Sequence, residues 1–201
     1  MKTINDKVIN LFESNNGFLE LDKLKSEGVN SYRLKSLVEN NIIEKIKPGL
    51  YRLVDFEFDN YIDYISICRA NPLAVICNIS ALSYYELTTQ NSFVIEVAIP
   101  NDRKPIKIIN LNIKYHYLRE SSYSLGIDEI KTDNGAFKIY SIEKTLCDIM
   151  RNRKRLGEDV VIEAMKLYMS RNDKDVNRLY ECSKICRIEK SMFQYIKILA
   201  G

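Results

Sequence analysis

The sequence predicts an α+β protein, with an N-terminal winged helix-turn-helix followed by a mixed α/β domain that has a helical C-terminal end. Three short amphipathic segments precede two β-rich runs around a Pro-Gly turn, strand-like runs fill the middle, and helical periodicity dominates the last part. The 201 residues, 46% of them hydrophobic, suffice for two small cores. We expect a DNA-binding domain over residues 1–54 and an α/β domain over residues 60–201.

The elements of the first domain follow from apolar spacing and turn residues. Thr3 or Asn5 is expected to cap the first helix, and Asn30 or Ser31 the third. Helices are predicted near 3–14, 21–27 and 30–40, and strands at 42–46 and 50–53. A generic helical subdomain that is closed by a hairpin is the alternative to the winged form.

The second domain is predicted to alternate helices and strands before it becomes helical. Asn78 or Ser80 is expected to cap one helix and Ser141 another, and Asp133-Asn134-Gly135 is expected to form a tight turn between two strands. Strands are predicted at 93–99, 108–118, 126–131 and 136–140, and the last helices at 157–171, 174–186 and 188–199.

Composition and charge exclude several classes of protein. With 28% charged residues, 7 Gly and 4 Pro, the chain is neither collagen-like nor wholly disordered. No apolar run is long enough to span a bilayer, and residues 1–7 lack the apolar core of a signal peptide, so we expect a cytoplasmic protein without a membrane partner. The five cysteines have no regular spacing and are expected to be reduced thiols. A net charge of +3 permits a nucleic-acid surface without requiring one.

The third helix carries the most specific candidate chemistry. If its apolar residues are buried, its opposite face and the nearby hairpin present polar and cationic groups suited to bases and phosphates. The predicted DNA-binding residues are Ser31, Tyr32, Arg33, Lys35 and Ser36 on the helix, with Lys45, Lys47, Gly49 and Arg52 at the hairpin. The alternative is a solvated face, because Glu39 and Glu44 partly cancel the positive field.

No catalytic residue, metal ligand or cofactor is predicted. His116 is the single histidine, and no serine or cysteine near it lies in a recognisable nucleophile motif. Cys182 and Cys186 share a helix face, but two thiols without a second pair or a nearby histidine make a poor zinc site. No glycine-rich phosphate-binding loop is present in the sequence.

One pattern resembles part of an enzyme active site. Glu129 and Lys131 lie two apart on a predicted strand, as in metal-dependent nucleases that combine carboxylates with a lysine. A small nuclease is therefore the alternative function. Glu-x-Lys is common in a chain with this much lysine and glutamate, and an exposed strand near a hairpin turn favours both residues as solvated charges.

Four segments together resemble the AbiEi family of antitoxins, the transcriptional regulators of type IV abortive-infection toxin–antitoxin systems. The segments are Lys47-Pro48-Gly49-Leu50-Tyr51-Arg52-Leu53, the stretch from Asn78 to Thr88, Val94 to Pro100, and Tyr140 to Asp148. The resemblance implies a protein whose winged helix binds repeats in its own promoter and represses the operon. It also implies a C-terminal domain that counteracts a cognate nucleotidyltransferase-type toxin, without a stable complex.

Several residues of these segments have ordinary structural interpretations. Ser80 is expected to cap a helix, and Lys144 with Asp148 is expected to form an i, i+4 pair that is worth about 0.3 kcal/mol. The segment from Tyr140 to Asp148 is therefore interpreted as maintaining the fold. Two further alternatives stay open: a C-terminal domain that grips the toxin directly, and a second nucleic-acid or partner surface at residues 151–155.

Overall fold

The computed structural model describes residues 4–90 and 92–200, and it is a mixture of α-helices and β-strands. The helices are α1 (Ile4–Glu13), α2 (Leu21–Ser26), α3 (Ser31–Glu39), α4 (Ile62–Ala70), α5 (Asn78–Tyr84), α6 (Glu120–Tyr123), α7 (Ile142–Arg151), α8 (Arg153–Leu156), α9 (Glu158–Ser170), α10 (Val176–Ile185) and α11 (Glu189–Ala200). The strands are β1 (Phe18–Glu20), β2 (Ile43–Lys47), β3 (Leu50–Leu53), β4 (Val75–Ile76), β5 (Ile95–Pro100), β6 (Ile113–Leu118), β7 (Ile127–Thr132) and β8 (Gly135–Tyr140). Among the described residues, no helix has the length and apolar character needed to cross a membrane.

The strands form two sheets. The first has three strands in the order β1-β3-β2, and both pairings are antiparallel. The second has five strands in the order β6-β5-β4-β8-β7. In it, β4 pairs antiparallel with β5 and parallel with β8, and β5 pairs parallel with β6 along its whole length.

The chain divides into two units. The first comprises residues 1–72, 106–111 and 131–137, and the second comprises residues 73–105, 112–130 and 138–201. The predicted DNA-binding domain, 1–54, falls within the first unit, whereas residues 60–201 are shared between the two units. The segment after the hairpin, including α4, thus belongs with the N-terminal elements.

The first unit has its own apolar core. Phe12 of α1 and Leu24 of α2 are fully buried, and Leu37 of α3 and Ile43 of β2 are nearly so. These side chains come from each helix and from the sheet, at the positions that apolar periodicity predicts. The core therefore fixes which face each helix turns outward.

The second unit buries its apolar residues between the helices. Helix α7 is largely buried, with every residue from Glu143 to Met150 buried. It packs against α5, α9 and α10, and their shared core includes Leu146, Met165 and Leu179. A helix that is covered on all sides lies at the centre of a bundle.

The structure confirms most predicted elements and corrects some. The cap at Asn30 is confirmed because its side chain accepts a hydrogen bond from the Arg33 amide, and Ser141 caps α7 in the same way. Asn78 and Ser80 as caps are both wrong, because the residue that precedes α5 is Cys77 and no side chain caps the helix. The Asn78 side chain instead donates to the Glu96 carboxylate, and the Ser80 hydroxyl accepts a hydrogen bond from the Glu96 amide at 2.9 Å. Strand β1 and the short helices α6 and α8 were not predicted. Of the two expected caps of α1, Asn5 is wrong because it lies inside the helix, and Thr3 lies outside the described residues.

Candidate functional site

Helix α3 is positioned by its cap and by its apolar side. The side-chain oxygen of Asn30 accepts a hydrogen bond from the Arg33 amide at 2.9 Å, which fixes where the helix begins. Leu37 is buried in the core of the first unit, and Leu34 and Val38 pack against that core. The other face of the helix is consequently turned away from the core.

That outward face carries polar and cationic groups. The side chain of Tyr32 is 85% exposed, and Ser31 is exposed as well. Lys35 is also exposed, and its ammonium lies 3.5 Å from the carboxylate of Glu39. Arg33 and Ser36 are half-buried. The helix therefore offers hydrogen-bond donors and one weakly paired cation to solvent.

The turn between β2 and β3 is built by a glycine. Gly49 has a φ of +88°, a conformation that favours glycine, and a Cβ added there would meet nothing within 4 Å. Its carbonyl accepts a hydrogen bond from the Leu21 amide at 2.8 Å. Lys45 and Pro48 are exposed on the same hairpin.

Two hairpin cations that the sequence assigned to DNA have partners inside the first unit. The Lys47 ammonium donates to the carbonyl of Ala70 at 2.8 Å. The Arg52 guanidinium donates twice to one oxygen of Glu44, at 2.8 and 2.6 Å, and once to the Ser66 hydroxyl at 3.1 Å. Both side chains thus connect the hairpin with α4, a role that hairpin sequence alone does not reveal.

The first unit also contains a cavity of about 500 Å³ on another part of its surface. Its charged lining residues are Glu20, Lys23 and Arg69, and Arg69 stacks at 4.5 Å over the ring of Phe18. Lys23 donates to the side chain of Asn15 at 2.7 Å. The lining includes neither cysteine nor histidine, the residues that most often supply a nucleophile or a general base.

In the second unit, a buried polar group lies near the start of β5. The Glu96 carboxylate is 2.6 Å from Nε2 of His116 on β6 and accepts a hydrogen bond from the Asn78 side chain at 3.0 Å. Burial alone would raise the pKa of Glu96, but the hydrogen bonds and the nearby positive charge lower it below its ordinary value of 4.5. The single histidine is therefore part of a satisfied interior network.

The Lys144–Asp148 pair of α7 is buried, so the small stabilisation expected for a solvated pair does not apply to it. The Lys144 side chain is 1% exposed, its ammonium donates to Asp148, and it lies 4.2 Å from the centre of the Tyr140 ring. The expected 0.3 kcal/mol applies to solvated pairs on isolated helices. For a buried pair, loss of one partner leaves a desolvated charge.

A cavity of about 90 Å³ adjoins both of these polar groups. It is lined by Cys77, Asn78, His116, Leu118, Asp148, Arg151 and Asn152. Such a volume holds a few water molecules but not a substrate. Burial and the nearby carboxylates of Asp148 and Glu96 raise the pKa of the Cys77 thiol, so it lacks the thiolate character of a catalytic cysteine.

Three cysteines meet in the core of the second unit. Cys147 of α7 lies against Cys182 and Cys186, and the three sulfur atoms are within 4.8 Å of one another. Hydrogen bonds from Cys147 and Cys182, with the charges of Lys144 and Arg151, lower the pKa of the Cys186 thiol. The sequence indicated only the Cys182–Cys186 pair because Cys147 lies on a different helix.

The residues of the alternative nuclease site are exposed on β7, a strand at the edge of its sheet. Glu129 and Lys131 both face solvent. Within residues 4–90 and 92–200, the one group of three or more side chains that could hold a metal is the cysteine cluster. The geometry around Glu129 therefore offers no specific support for a nuclease.

Comparison with known proteins does not identify a family for this chain. No protein-family model matches the chain, and a search of curated proteins finds no match.

Proposed function

We propose that this chain is a DNA-binding transcriptional autorepressor and the antitoxin of a type IV toxin–antitoxin system, as its resemblance to the AbiEi family implies. The observation that carries the DNA-binding half is the outward face of α3, where Tyr32 is 85% exposed and the Lys35 side chain is 74% exposed. This face begins at a capped helix N-terminus, which favours phosphate contacts.

We further propose that residues 1–54 form a winged helix-turn-helix. The order of elements supports this proposal, since β1 follows α1, the pair α2 and α3 comes next, and the β2–β3 hairpin closes the sheet by pairing β3 with β1. The short connection between α2 and α3 is of the kind that a helix-turn-helix uses. In this arrangement α3 is the recognition helix and the hairpin is the wing.

The proposed contacts divide between bases and phosphates. Ser31, Tyr32 and Arg33 lie in the first turn of α3, the part of a recognition helix that reaches base edges. The exposed Lys45 is the cation of the hairpin best placed to contact phosphate, because Lys47 and Arg52 already have partners in the unit. We assign Lys47 and Arg52 the role of holding the hairpin in place.

DNA binding can be measured by fluorescence anisotropy with DNA from the region upstream of the gene. We expect binding that weakens steeply with salt, and Lys45→Ala should reduce the log–log slope by about 0.9. Arg33→Ala should weaken binding by about 1–3 kcal/mol and relax the preference for one sequence, since a bidentate arginine contact discriminates between bases. The matched control is Lys166→Ala, which removes an exposed lysine from α9 in the second unit.

Two outcomes would contradict the DNA-binding half. One is the absence of binding at about 50 mM salt, where phosphate contacts are strongest. The other is equal binding by wild-type protein, Arg33→Ala and Lys45→Ala, which would show that this face is not the interface.

The antitoxin half is proposed for the second domain, which is expected to counteract a nucleotidyltransferase-type toxin without forming a stable complex. Coexpression with a nucleotidyltransferase-type toxin, taken from the neighbouring gene if that gene encodes one, tests it. Arg33→Ala should still restore growth while repression of a promoter fusion is lost. Stable copurification of the two proteins would instead favour a domain that grips the toxin directly, and failure to restore growth would contradict the antitoxin function.

A further inference from the structure

The cysteine cluster of the second unit has the geometry of a metal site. Cys147 lies in the middle of α7, Cys182 lies in α10, and Cys186 ends α10 one turn later. Their sulfur atoms are within 4.8 Å of one another. Three sulfurs that bind one ion at about 2.3 Å lie roughly 3.8–4.0 Å apart, so a small inward rotation of the side chains would complete the site.

The alternative of a disulfide fits the three thiols less well. Cys182 and Cys186 lie one helical turn apart, with the Cys186 amide hydrogen-bonded to the Cys182 carbonyl at 2.9 Å. Residues at this spacing have Cβ atoms about 5–6 Å apart, whereas a disulfide needs about 3.5–4.5 Å. A disulfide could therefore form only with Cys147, and it would leave one thiol unused.

Two cationic side chains lie beside the cluster. Lys144 and Arg151 lie on the same helix as Cys147, and the Arg151 guanidinium donates to the Cys186 carbonyl. Three thiolates with one monovalent or divalent ion keep a net negative charge, which Arg151 would partly offset, whereas Lys144 is already paired with Asp148.

An approach to the cluster is also present. Cys182, the most exposed of the three at 9%, lines a cavity of about 290 Å³. Glu143 and Glu181 also line this cavity, and both are paired with cations, Glu143 with Arg178 at 3.5 Å and Glu181 with Lys184 at 2.8 Å. An entry path is one of the features that distinguish a usable metal site from a packed core.

We propose that Cys147, Cys182 and Cys186 form a three-thiolate site for one soft metal ion, copper(I) or zinc(II), which ties α10 to α7. Thiolate sulfur is the ligand that both ions favour. Each thiol that binds the ion gives up its proton to solvent, and the oxidation states of metal and sulfur do not change. Zinc would need a fourth ligand, such as water from the cavity, whereas copper(I) is satisfied by three sulfurs.

The test uses the full chain, reduced and kept free of oxygen, in two arms. One arm titrates copper(I) against a copper(I) chelator, and the other titrates zinc(II) against a zinc chelator. We expect one equivalent of at least one ion to bind with a thiolate-to-metal absorption band. The arm with the tighter binding identifies the ion.

Variants separate a metal site from simple packing. Cys182→Ser, at the most exposed of the three positions, should weaken binding by more than about 100-fold and abolish the metal-dependent rise in Tm. Cys77→Ser is the matched control, because Cys77 is another buried cysteine of the same unit but lies outside the cluster, and it should bind like wild type. If Cys147→Ser or Cys186→Ser fails to fold, Cys182→Ser still decides the question.

Three results would overturn the proposal. The first is that neither ion binds in competition with its chelator, and the second is that Cys182→Ser binds as tightly as wild type. The third is a disulfide between Cys147 and one of the other two in protein purified without reductant, together with no metal binding after reduction.

Discussion

The surroundings of Lys144 determine how much its ion pair contributes to the stability of the protein. Its side chain is 1% exposed and bound to Asp148, whereas Lys35 makes a pair of the same i, i+4 spacing with Glu39 at 74% and 62% exposure. The sequence presents the two pairs as equivalent. Only burial distinguishes them, and burial decides whether loss of one partner leaves a charge in water or in a core.

We therefore expect Lys144→Met and Lys35→Met to differ in their effect on stability. Lys144→Met should lower the free energy of unfolding by about 3–5 kcal/mol, because Asp148 is left without its partner. Lys35→Met should change it by no more than about 0.5 kcal/mol. Urea unfolding followed by circular dichroism measures both, and equal effects would contradict the buried pairing.

At the scale of elements, two glycines end or join elements of the first unit for different reasons. Gly49 in the β2–β3 turn has a φ of +88° with open space around it. Gly17, between α1 and β1, has a φ of +77°, and a Cβ there would lie 2.7 Å from the ring of Phe58. Backbone conformation alone requires the first glycine, and conformation together with packing requires the second.

Alanine at these two positions should separate the two effects. Gly49→Ala should destabilise the protein by about 1–2 kcal/mol, the cost of the left-handed conformation. Gly17→Ala should cost more, because the aromatic ring must also move. Urea unfolding midpoints compare the two variants, and a Gly17→Ala protein that is no less stable than Gly49→Ala would contradict the packing at Phe58.

The elements that could be predicted are those whose signals are local. The Asn30 cap, the apolar face of α3 and the Asp133-Asn134 turn can each be identified within a few residues of sequence. Strand β1 could not be, because three residues carry no period and it exists through its pairing with β3. The candidate sites show the same difference between local signals and contacts with distant segments.

Helical periodicity predicts which residues of the candidate interface are exposed. It does not predict which side chains bind groups from distant segments of the chain. Lys47 reaches Ala70, and Arg52 reaches Ser66, both on α4 beyond the hairpin. Cys147 joins Cys182 and Cys186 only because α7 packs against α10. Contacts of this kind require the tertiary structure, so the sequence gives no sign of them.

At the scale of the whole molecule, the two units have separate cores, and one buried carboxylate links the stability of the second unit to pH. The second unit contains the buried Glu96, whose lowered pKa means that its charged form stabilises the folded state. This contribution is fully present above the ordinary pKa of 4.5 and is lost as the pH falls through the lowered value. Acid should therefore weaken the second unit through this residue.

Glu96→Gln tests this linkage because glutamine resembles the protonated acid in shape and charge. At pH 7 the variant should be less stable than wild type by about 1–3 kcal/mol, and the difference should shrink below about pH 4 as Glu96 itself protonates. Urea unfolding at several pH values measures the difference, with Glu129→Gln on the exposed strand β7 as the matched control. That control should show no such difference at any pH. A Glu96→Gln deficit that stays constant down to about pH 3 would mean that lost packing, and not lost charge, explains it.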